Sequence, residues 1–377
     1  MKLFHLSDLH LGKRVHGQSL IEDQRYILNR ILKHIETEKP DAVMIAGDVY
    51  DRSMPSEDAV DLFDEFLYGL SLLKLSVLIV SGNHDSAERL AFGGRIFNKN
   101  GIHISPEFNG RITPVTLSDK YGEVDFYLLP FVTPAAVRRK YENESIENCT
   151  DAVRVVIDDM GVDTSRRNVL IAHQFVTGAE RTEDSETYFV GTAENVDAEV
   201  LKPFDYAALG HLHKAQNVGS DRIRYCGTPM KYSFKEVANE KSITVVELGE
   251  KGAVSTREIP LVPLREWEIK TGKFGDIIKE SSDNYIMAVL TDEDDVYNAM
   301  ERLRDRFKNI LAMDYKRFEK DTTNDLEILS EDNELSNEDL FEEFYKSRNG
   351  GRELNERQRE IVKEIFEELV NYETDQT

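Results

Sequence analysis

The chain has 377 residues, 40% of them hydrophobic, enough for a packed core and for two or three domains. Its net charge is −24, so it lacks the overall basic character of a free-standing nucleic-acid binder. No run approaches the ~20 apolar residues that span a bilayer. The apolar start before Asp8 is too short for a secretion signal. Two cysteines without metal spacing, Cys149 and Cys226, fit a reduced cytoplasm.

From residue 1 to about 260, short β-branched apolar runs predict buried strands at 3–6, 42–46, 77–80, 169–172 and 206–209. Helical patterns at 21–38 and 57–73 fill gaps between them, and late strands are expected at 225–229 and 242–248. Strand–helix alternation of this kind reads as a layered α/β domain. Pro260 and Pro263 punctuate the chain. A smaller α/β domain is expected at 265–318, with strands at 266–270, 285–290 and 312–318 and a helix at 296–310. Residues 319–335 are acidic and turn-rich and read as a linker. A helical hairpin is expected at 336–372. Ser336 would cap its first helix, which carries Leu340, Phe341, Phe344 and Tyr345, and Asn349-Gly350-Gly351 would end it. Asn355 would cap the second, whose stripe is Ile361, Val362, Ile365, Phe366, Leu369 and Val370. The chain shows no internal repeat.

Each of five predicted strands runs into a polar motif: Asp8-Leu9-His10, Gly47-Asp48, Gly82-Asn83-His84-Asp85, His173, and Gly210-His211-Leu212-His213. Five of the nine histidines thus follow strand ends beside Asp, Asn or Gly. The other four, His5, His16, His34 and His103, are read as ordinary residues. An extended segment puts residues i and i+2 on one side, so Asp8 with His10, and His211 with His213, can face one site. Asp48 has two oxygens and can bridge two cations, while Asn83 offers a neutral oxygen. Such a mixed set suits Mn2+, Fe or Zn2+, and Mg2+ usually takes fewer histidines. Gly47, Gly82 and Gly210 are expected where the backbone must turn tightly.

The series DxH, GDxxD, GNHD, H and GHxH resembles the calcineurin-like metallophosphoesterases in order and spacing. The strings Phe4–Gly12, Ala46–Arg52, Ser81–Leu90 and Gly227–Phe234 resemble, within them, the SbcD family of nuclease subunits, over almost the whole chain. The resemblance implies a two-sheet β-sandwich flanked by helices, a small α/β capping domain and the C-terminal hairpin. It implies two divalent ions, with Mn2+ expected first and Mg2+, Fe or Zn2+ as alternatives. Asp8, His10, Asp48 and His213 would hold one, and Asp48, Asn83, His173 and His211 the other. His84 would be left for catalysis, and Asp85 would orient it or a neighbour, or cap a turn. Some relatives carry a second histidine where this chain has Asp51, which leaves the role of Asp51 open. The implied activity is ATP-dependent 3′–5′ double-strand exonuclease and hairpin-opening endonuclease action in DNA recombination, replication and repair. ATP would be bound by a partner ATPase, SbcC, and not by this chain.

For DNA, Lys13, Arg14 and His16 form a basic loop after the first ligand pair. Arg52, Arg89 and Arg95 follow other motifs, and Lys231 and Tyr232 lie in a further loop; such groups can hold phosphates without reading bases. The apolar hairpin stripe, with Leu340, Phe341, Phe344, Ile361, Ile365, Phe366 and Leu369, is expected to dock on the coiled-coil base of SbcC. A homodimer within a heterotetramer is implied by the family, with Val60, Phe63, Leu67, Leu70, Leu90, Phe92 and Ile96 as a shared face or as core. Two other readings stand beside this one: a phosphatase or phosphodiesterase acting on a non-DNA substrate, and a non-catalytic scaffold for an ATPase.

Overall fold

The computed structural model describes residues 1–141, 144–180, 195–316, 337–348, 351 and 353–374. By compactness the chain divides into two units. The first is 1–269 with 283–286, and the second is 270–282 with 287–377.

In the first unit, β1 (Lys2–Leu6) leads through a short hairpin, β2 (Arg14–Val15) and β3 (Gln18–Ser19), into α1 (Ile21–Glu38). Then follow β4 (Ala42–Ala46), α2 (Glu57–Leu72), β5 (Ser76–Val80), the short helices α3 (Ala87–Leu90) and α4 (Gly94–Asn98), and β6 (Ile102–Ile104). A second run begins with β7 (Val115–Asp119) and β8 (Gly122–Leu129), continues through α5 (Pro134–Arg138) and α6 (Cys149–Asp159), and reaches β9 (Arg167–His173) and β10 (Tyr206–Gly210). It closes with β11 (Gln216–Val218), β12 (Ser220–Tyr225), β13 (Ser242–Leu248) and β14 (Val254–Pro260).

These strands make two six-stranded mixed sheets, ordered β14-β13-β1-β4-β5-β6 and β11-β12-β10-β9-β8-β7. In the first, β1, β4 and β5 are parallel neighbours. In the second, β8, β9 and β10 are. The period-2 alternation of each strand decides which side chains go where. Leu3, Met44, Leu78 and Val80 of the first sheet meet Phe126, Leu128, Val169, Ile171, Tyr206 and Ala208 of the second in one buried cluster, so the core is a sandwich. The alternate residues of the second sheet, Leu129, Leu170, Ala172, Ala207 and Leu209, pack with Ala152, Val153 and Val156 of α6. Strands buried on both faces need cover outside as well. The crossover helices α1 and α2 bury Ile27, Ile31 and Ile35, and Phe63, Phe66 and Leu70. The consequence for function is topological. Parallel strands deliver all their C-terminal ends to one rim of a sheet, where ligands bind in open α/β folds.

The second unit carries most of a small three-stranded sheet, β15 (Trp267–Gly272), β16 (Tyr285–Leu290) and β17 (Ile310–Tyr315), in that order, with α7 (Phe274–Ile277) and α8 (Ala299–Arg306). It also holds α9 (Asn337–Arg348) and α10 (Glu356–Thr374). Asn355 and Gln358 cap α10 reciprocally: the Gln358 N–H donates to Asn355 Oδ1 at 2.9 Å, and the Asn355 N–H to Gln358 Oε1 at 3.0 Å. The linker 319–335, Ser336 and Asn349-Gly350 lie outside the described residues.

Two expected elements differ. The strand expected at 225–229 is not there; β12 ends at Tyr225, because Gly227 turns the chain at φ +73° and Pro229 has no N–H for a ladder. The helix expected at 296–310 shrinks to Ala299–Arg306, since Asn298 sits left-handed at φ +49° and Phe307 is extended. Among the residues considered for a shared dimer face, Phe63, Leu67, Leu70 and Leu90 are buried in this chain's own core. Val60, Phe92 and Ile96 are exposed.

Candidate metal centre

Both sheets bring their motifs to one place. From the first come Asp8 and His10 after β1, Asp48 after β4, and Asn83 and His84 after β5. From the second come His173, the last residue of β9, and His211 and His213 after β10. Asp8, His10, Asp48, His173 and His213 are all buried.

The loops after β1 and β4 are stitched together by backbone. The Asp8 N–H donates to the Gly47 carbonyl, and the His10 N–H to the Asp48 carbonyl, each at 3.0 Å. This forces Asp8, His10 and Asp48 into the left-handed region at φ +52°, +42° and +48°, with His211 also positive at +102°. Such strain in non-glycine residues persists only where the surroundings over-determine it, and it gathers at functional sites. Gly47, at φ +87°, has the expected turn role. Gly82 and Gly210 serve a different need: a β-carbon on Gly82 would strike Asp48, and one on Gly210 would strike the Ala46 carbonyl and the His173 ring.

The polar atoms converge on Asp48. His173 Nε2 lies 3.2 Å from Asp48 Oδ2, His10 Nε2 3.8 Å and His84 Nε2 4.0 Å. Asn83 Oδ1 lies 3.0 Å from His173 Nε2 and 3.1 Å from His211 Nδ1. Three groups place one donor atom each within 4.8 Å of one another: Asp8, His10 and His213; His10, Asp48 and His84; and Asp8, Asp48 and His173. Asp8 and Asp48 each belong to two of them. Both ring nitrogens of His10 are buried with no hydrogen-bond partner among the described residues, which an imidazole rarely tolerates unless a ligand completes it. The Asp and His clusters are consistent with a site for two divalent cations, with Asn83 and His211 close by.

The electrostatics fit that reading. Burial pushes His10 well below the ordinary imidazole range, and burial together with His173 pushes His211 down to about 3. Their lone pairs are therefore free at neutral pH. Burial alone would raise Asp48, but His173, His10 and His84 outweigh it and hold the carboxyl far below its usual range. His173 shows the reciprocal effect: burial opposes its charge, yet Asp48 and Asp8 lift it to about 9. A cation between these groups would compete with that proton.

Supporting groups surround the cluster. His173 Nδ1 donates to the Ala46 carbonyl at 2.8 Å, which leaves Nε2 for the centre. His84 Nδ1 donates to the Asp51 carbonyl at 2.8 Å. The Asp51 carboxylate pairs with Lys13 Nζ at 2.8 Å and stands 3.7 Å from His10 Nδ1. Asp51 therefore touches two of the centre's imidazoles, a role the sequence left open. Asp85 accepts the N–H groups of Val49, Tyr50 and Gly82 at 2.9–3.1 Å. It ties the loops after β4 and β5 together through N–H groups next to Asp48 and Asn83, contacts that fit both a turn-capping role and the support of neighbouring residues. Sequence reading missed Gln24, which donates to the His10 carbonyl at 2.7 Å. It also missed Ser7, whose hydroxyl donates to Asp8, and Glu236 beside His213. Gln24 and Glu236 lie outside the quoted strings, and Ser7, though within Phe4–Gly12, is not a typical metal ligand, so spacing gave no signal for them.

The DNA-contact expectations divide. Arg14, His16, Arg52, Arg89 and Arg95 are exposed. Arg14 donates to the Gly17 carbonyl and Arg89 to the Ser53 carbonyl. Lys231 is mostly covered and paired with Glu266 at 2.8 Å. Tyr232 is 3% exposed and donates its hydroxyl to the Leu9 carbonyl, its ring packing against His10 and His213. It is a wall of the centre and not a surface contact, because a buried phenol spends its hydroxyl internally. In the hairpin, Leu340, Phe341, Phe344, Ile361 and Ile365 are 36–51% exposed, and Phe341 packs edge-on against Phe366. The Leu369 side chain lies outside the described residues. No helix among the described residues is long and apolar enough to cross a membrane.

Residues 1–215 match the family described as calcineurin-like phosphoesterase, and 260–349 match the type 5 capsule protein repressor C-terminal domain. The chain belongs to the calcineurin-like phosphoesterases. It is 34% identical over 356 residues to the SbcD component of the nuclease SbcCD from Staphylococcus epidermidis, covering 92% of this chain and 93% of that protein, which places it in the SbcD branch. Among solved structures, it is similar to a dimetal phosphatase from Danio rerio, with TM-score 0.44 and 11% identity over 69% of this chain and 96% of that one. It is also similar to the phosphoesterase YfkN of Bacillus subtilis, with TM-score 0.36 and 15% identity over 69% and 90%.

Proposed function

We propose that this chain is the nuclease subunit of an SbcCD complex and hydrolyses DNA phosphodiesters at a two-metal centre. The observation that carries the reading is the clustering of strand-end Asp and His residues around Asp8 and Asp48 in a chain that aligns over 92% of its length with an SbcD relative. In this reading Asp8, His10, Asp48 and His213 hold one ion, and Asp48, Asn83, His173 and His211 the other, with Mn2+ in both. Two such ions supply Lewis acidity and an activated water for attack on phosphorus.

The chain's own groups divide the remaining work. Asp48 is shared, and its backbone is locked by the His10 N–H. Since a carbonyl only accepts, the Asp51 contact fixes the hydrogen on His84 Nδ1 and turns Nε2 toward the centre. A proton held at Nε2 can pass to the leaving oxygen, while the Asp51 carbonyl steadies the charged ring. Arg14, Arg52 and Arg89 would hold flanking phosphates.

Duplex and hairpin DNA are the proposed substrates. The net charge of −24 makes intrinsic DNA affinity weak, since affinity grows with the phosphates neutralised. A partner has to supply positive surface and gating. We assign that role to the SbcC ATPase, which would bind the ATP and dock at its coiled-coil base on the hairpin 336–372, in a heterotetramer built on a homodimer of this chain in the cytoplasm. The test is cleavage of a hairpin DNA with Mn2+, with and without SbcC and ATP. Cutting that requires Mn2+ and rises with SbcC and ATP supports the reading. Hydrolysis of small phosphoesters without any DNA cleavage would favour a phosphatase, and no hydrolysis at all a scaffold.

A further inference from the structure

His213 has a buried carboxylate within hydrogen-bond distance of its Nδ1, closer than the 3.7 Å at which Asp51 stands from His10. Behind it lie Glu236, Lys241 and Thr228, all 7% exposed or less. Ser233 caps a single turn at Phe234–Glu236 that brings Glu236 back toward the ring. Glu236 Oε1 stands 3.4 Å from His213 Nδ1 and accepts the Tyr232 N–H at 3.2 Å. Its other oxygen accepts from Lys241 Nζ, with Thr228 Oγ1 3.4 Å away. Lys241 Nζ also donates to the His213 carbonyl at 2.9 Å and to Thr228 Oγ1 at 2.6 Å. The Thr228 N–H donates to the same carbonyl at 3.2 Å.

An ion pair this deeply buried is a poor device for stability, because well-packed apolar side chains do as well or better. What this pair does locally is hold His213 at two points, its ring and its carbonyl. An ionised carboxylate only accepts, so the Glu236 contact requires the ring hydrogen on Nδ1. Carboxylates behind metal-binding histidines fix tautomer and orientation in this way.

We propose that Glu236, anchored by Lys241, is a positioning residue that fixes His213 as the Nδ1–H tautomer and leaves Nε2 to meet a divalent cation. The inference rests on the ligand set proposed above, and it assigns a positioning role in metal binding to a pair outside every ligand motif.

Removing one charge of a buried pair risks unfolding, so the full chain is tested as the double variant Glu236→Gln/Lys241→Met, which removes both. Calorimetric titration with Mn2+ should show two ions bound to the wild type. In the double variant one should bind 10–100-fold more weakly and the other unchanged. Two ions bound at wild-type affinity would overturn the proposal. A second measurement does not depend on the variant folding. In 15N-histidine-labelled wild-type protein without metal, with His213 assigned through His213→Gln, the ring should carry its hydrogen on Nδ1. A hydrogen on Nε2 would overturn the proposal. If the wild type binds fewer than two Mn2+, the ligand reading fails, and the tautomer still decides the role of Glu236.

Discussion

At the scale of single residues, the centre as proposed separates holding from reacting. His84 is the imidazole whose second nitrogen is fixed by a backbone carbonyl from the loop after β4, and whose Nε2 is the most distant of the three from Asp48. His84→Ala should therefore keep both ions and lose hydrolysis by about 10²–10⁴-fold. Metal analysis showing loss of an ion in that variant would remove the role. A different residue, outside the centre, contributes to the pH dependence of stability. His5 is fully buried on β1, its Nδ1 3.0 Å from the Tyr206 hydroxyl, and burial together with Arg224 pushes it down to about 3. The unfolded chain takes up this proton first, near pH 6.5. His5 thus contributes its full stability above about 6.5, and the contribution is lost as pH falls toward about 3. Urea unfolding of wild type and His5→Gln between pH 7 and 4.5 should show the wild type losing stability more steeply. Parallel curves would contradict this. From sequence His5 looked ordinary, because burial is a property of the pair of sheets and not of its neighbours in the chain.

At the scale of elements, the ligand-bearing strand ends were legible because their apolar runs are short, β-branched in β4, β5 and β9, and lead within two residues into Gly, Asp or His. Helices α1 and α2 were legible from 3.6-residue periodicity. The hairpin of β7 and β8 was not singled out, since β8 opens with the polar Gly122-Glu123 and takes its burial from β9 beside it. The supporting contacts were also hidden: Asp51, Gln24 and Glu236 act through carbonyls and ring nitrogens that only the assembled fold brings near. Close approach of β4, β9 and β10 is the element-level requirement, and Gly210 is where it is tightest. Gly210→Ala would push a methyl group into the Ala46 carbonyl and the His173 ring. A loss of about 1–3 kcal/mol is expected from such overpacking, with weakened metal binding as the His173 to Ala46 bond is disturbed. Thermal unfolding and metal content check this together, and a variant matching wild type in both would show that the strands have slack.

At the scale of the whole molecule, no single sheet contains the site. The first sheet contributes carboxylates, an amide and two imidazoles, the second contributes three imidazoles, and the sandwich core registers one rim against the other. The phosphoesterase class follows from that convergence together with the family match. The proposed preference for DNA rests on the SbcD likeness and lies outside the ligand set, which would serve other phosphoesters equally well. The pivot of the arrangement is Asp48, the carboxylate that three imidazoles face from both sheets. The most direct measurement is tightly bound metal per chain, by mass spectrometry after dialysis, in wild type and Asp48→Ala, with circular dichroism to show that both are folded. Two ions in the wild type and none in the folded variant is the predicted result; two ions retained by Asp48→Ala would contradict a shared, two-metal centre.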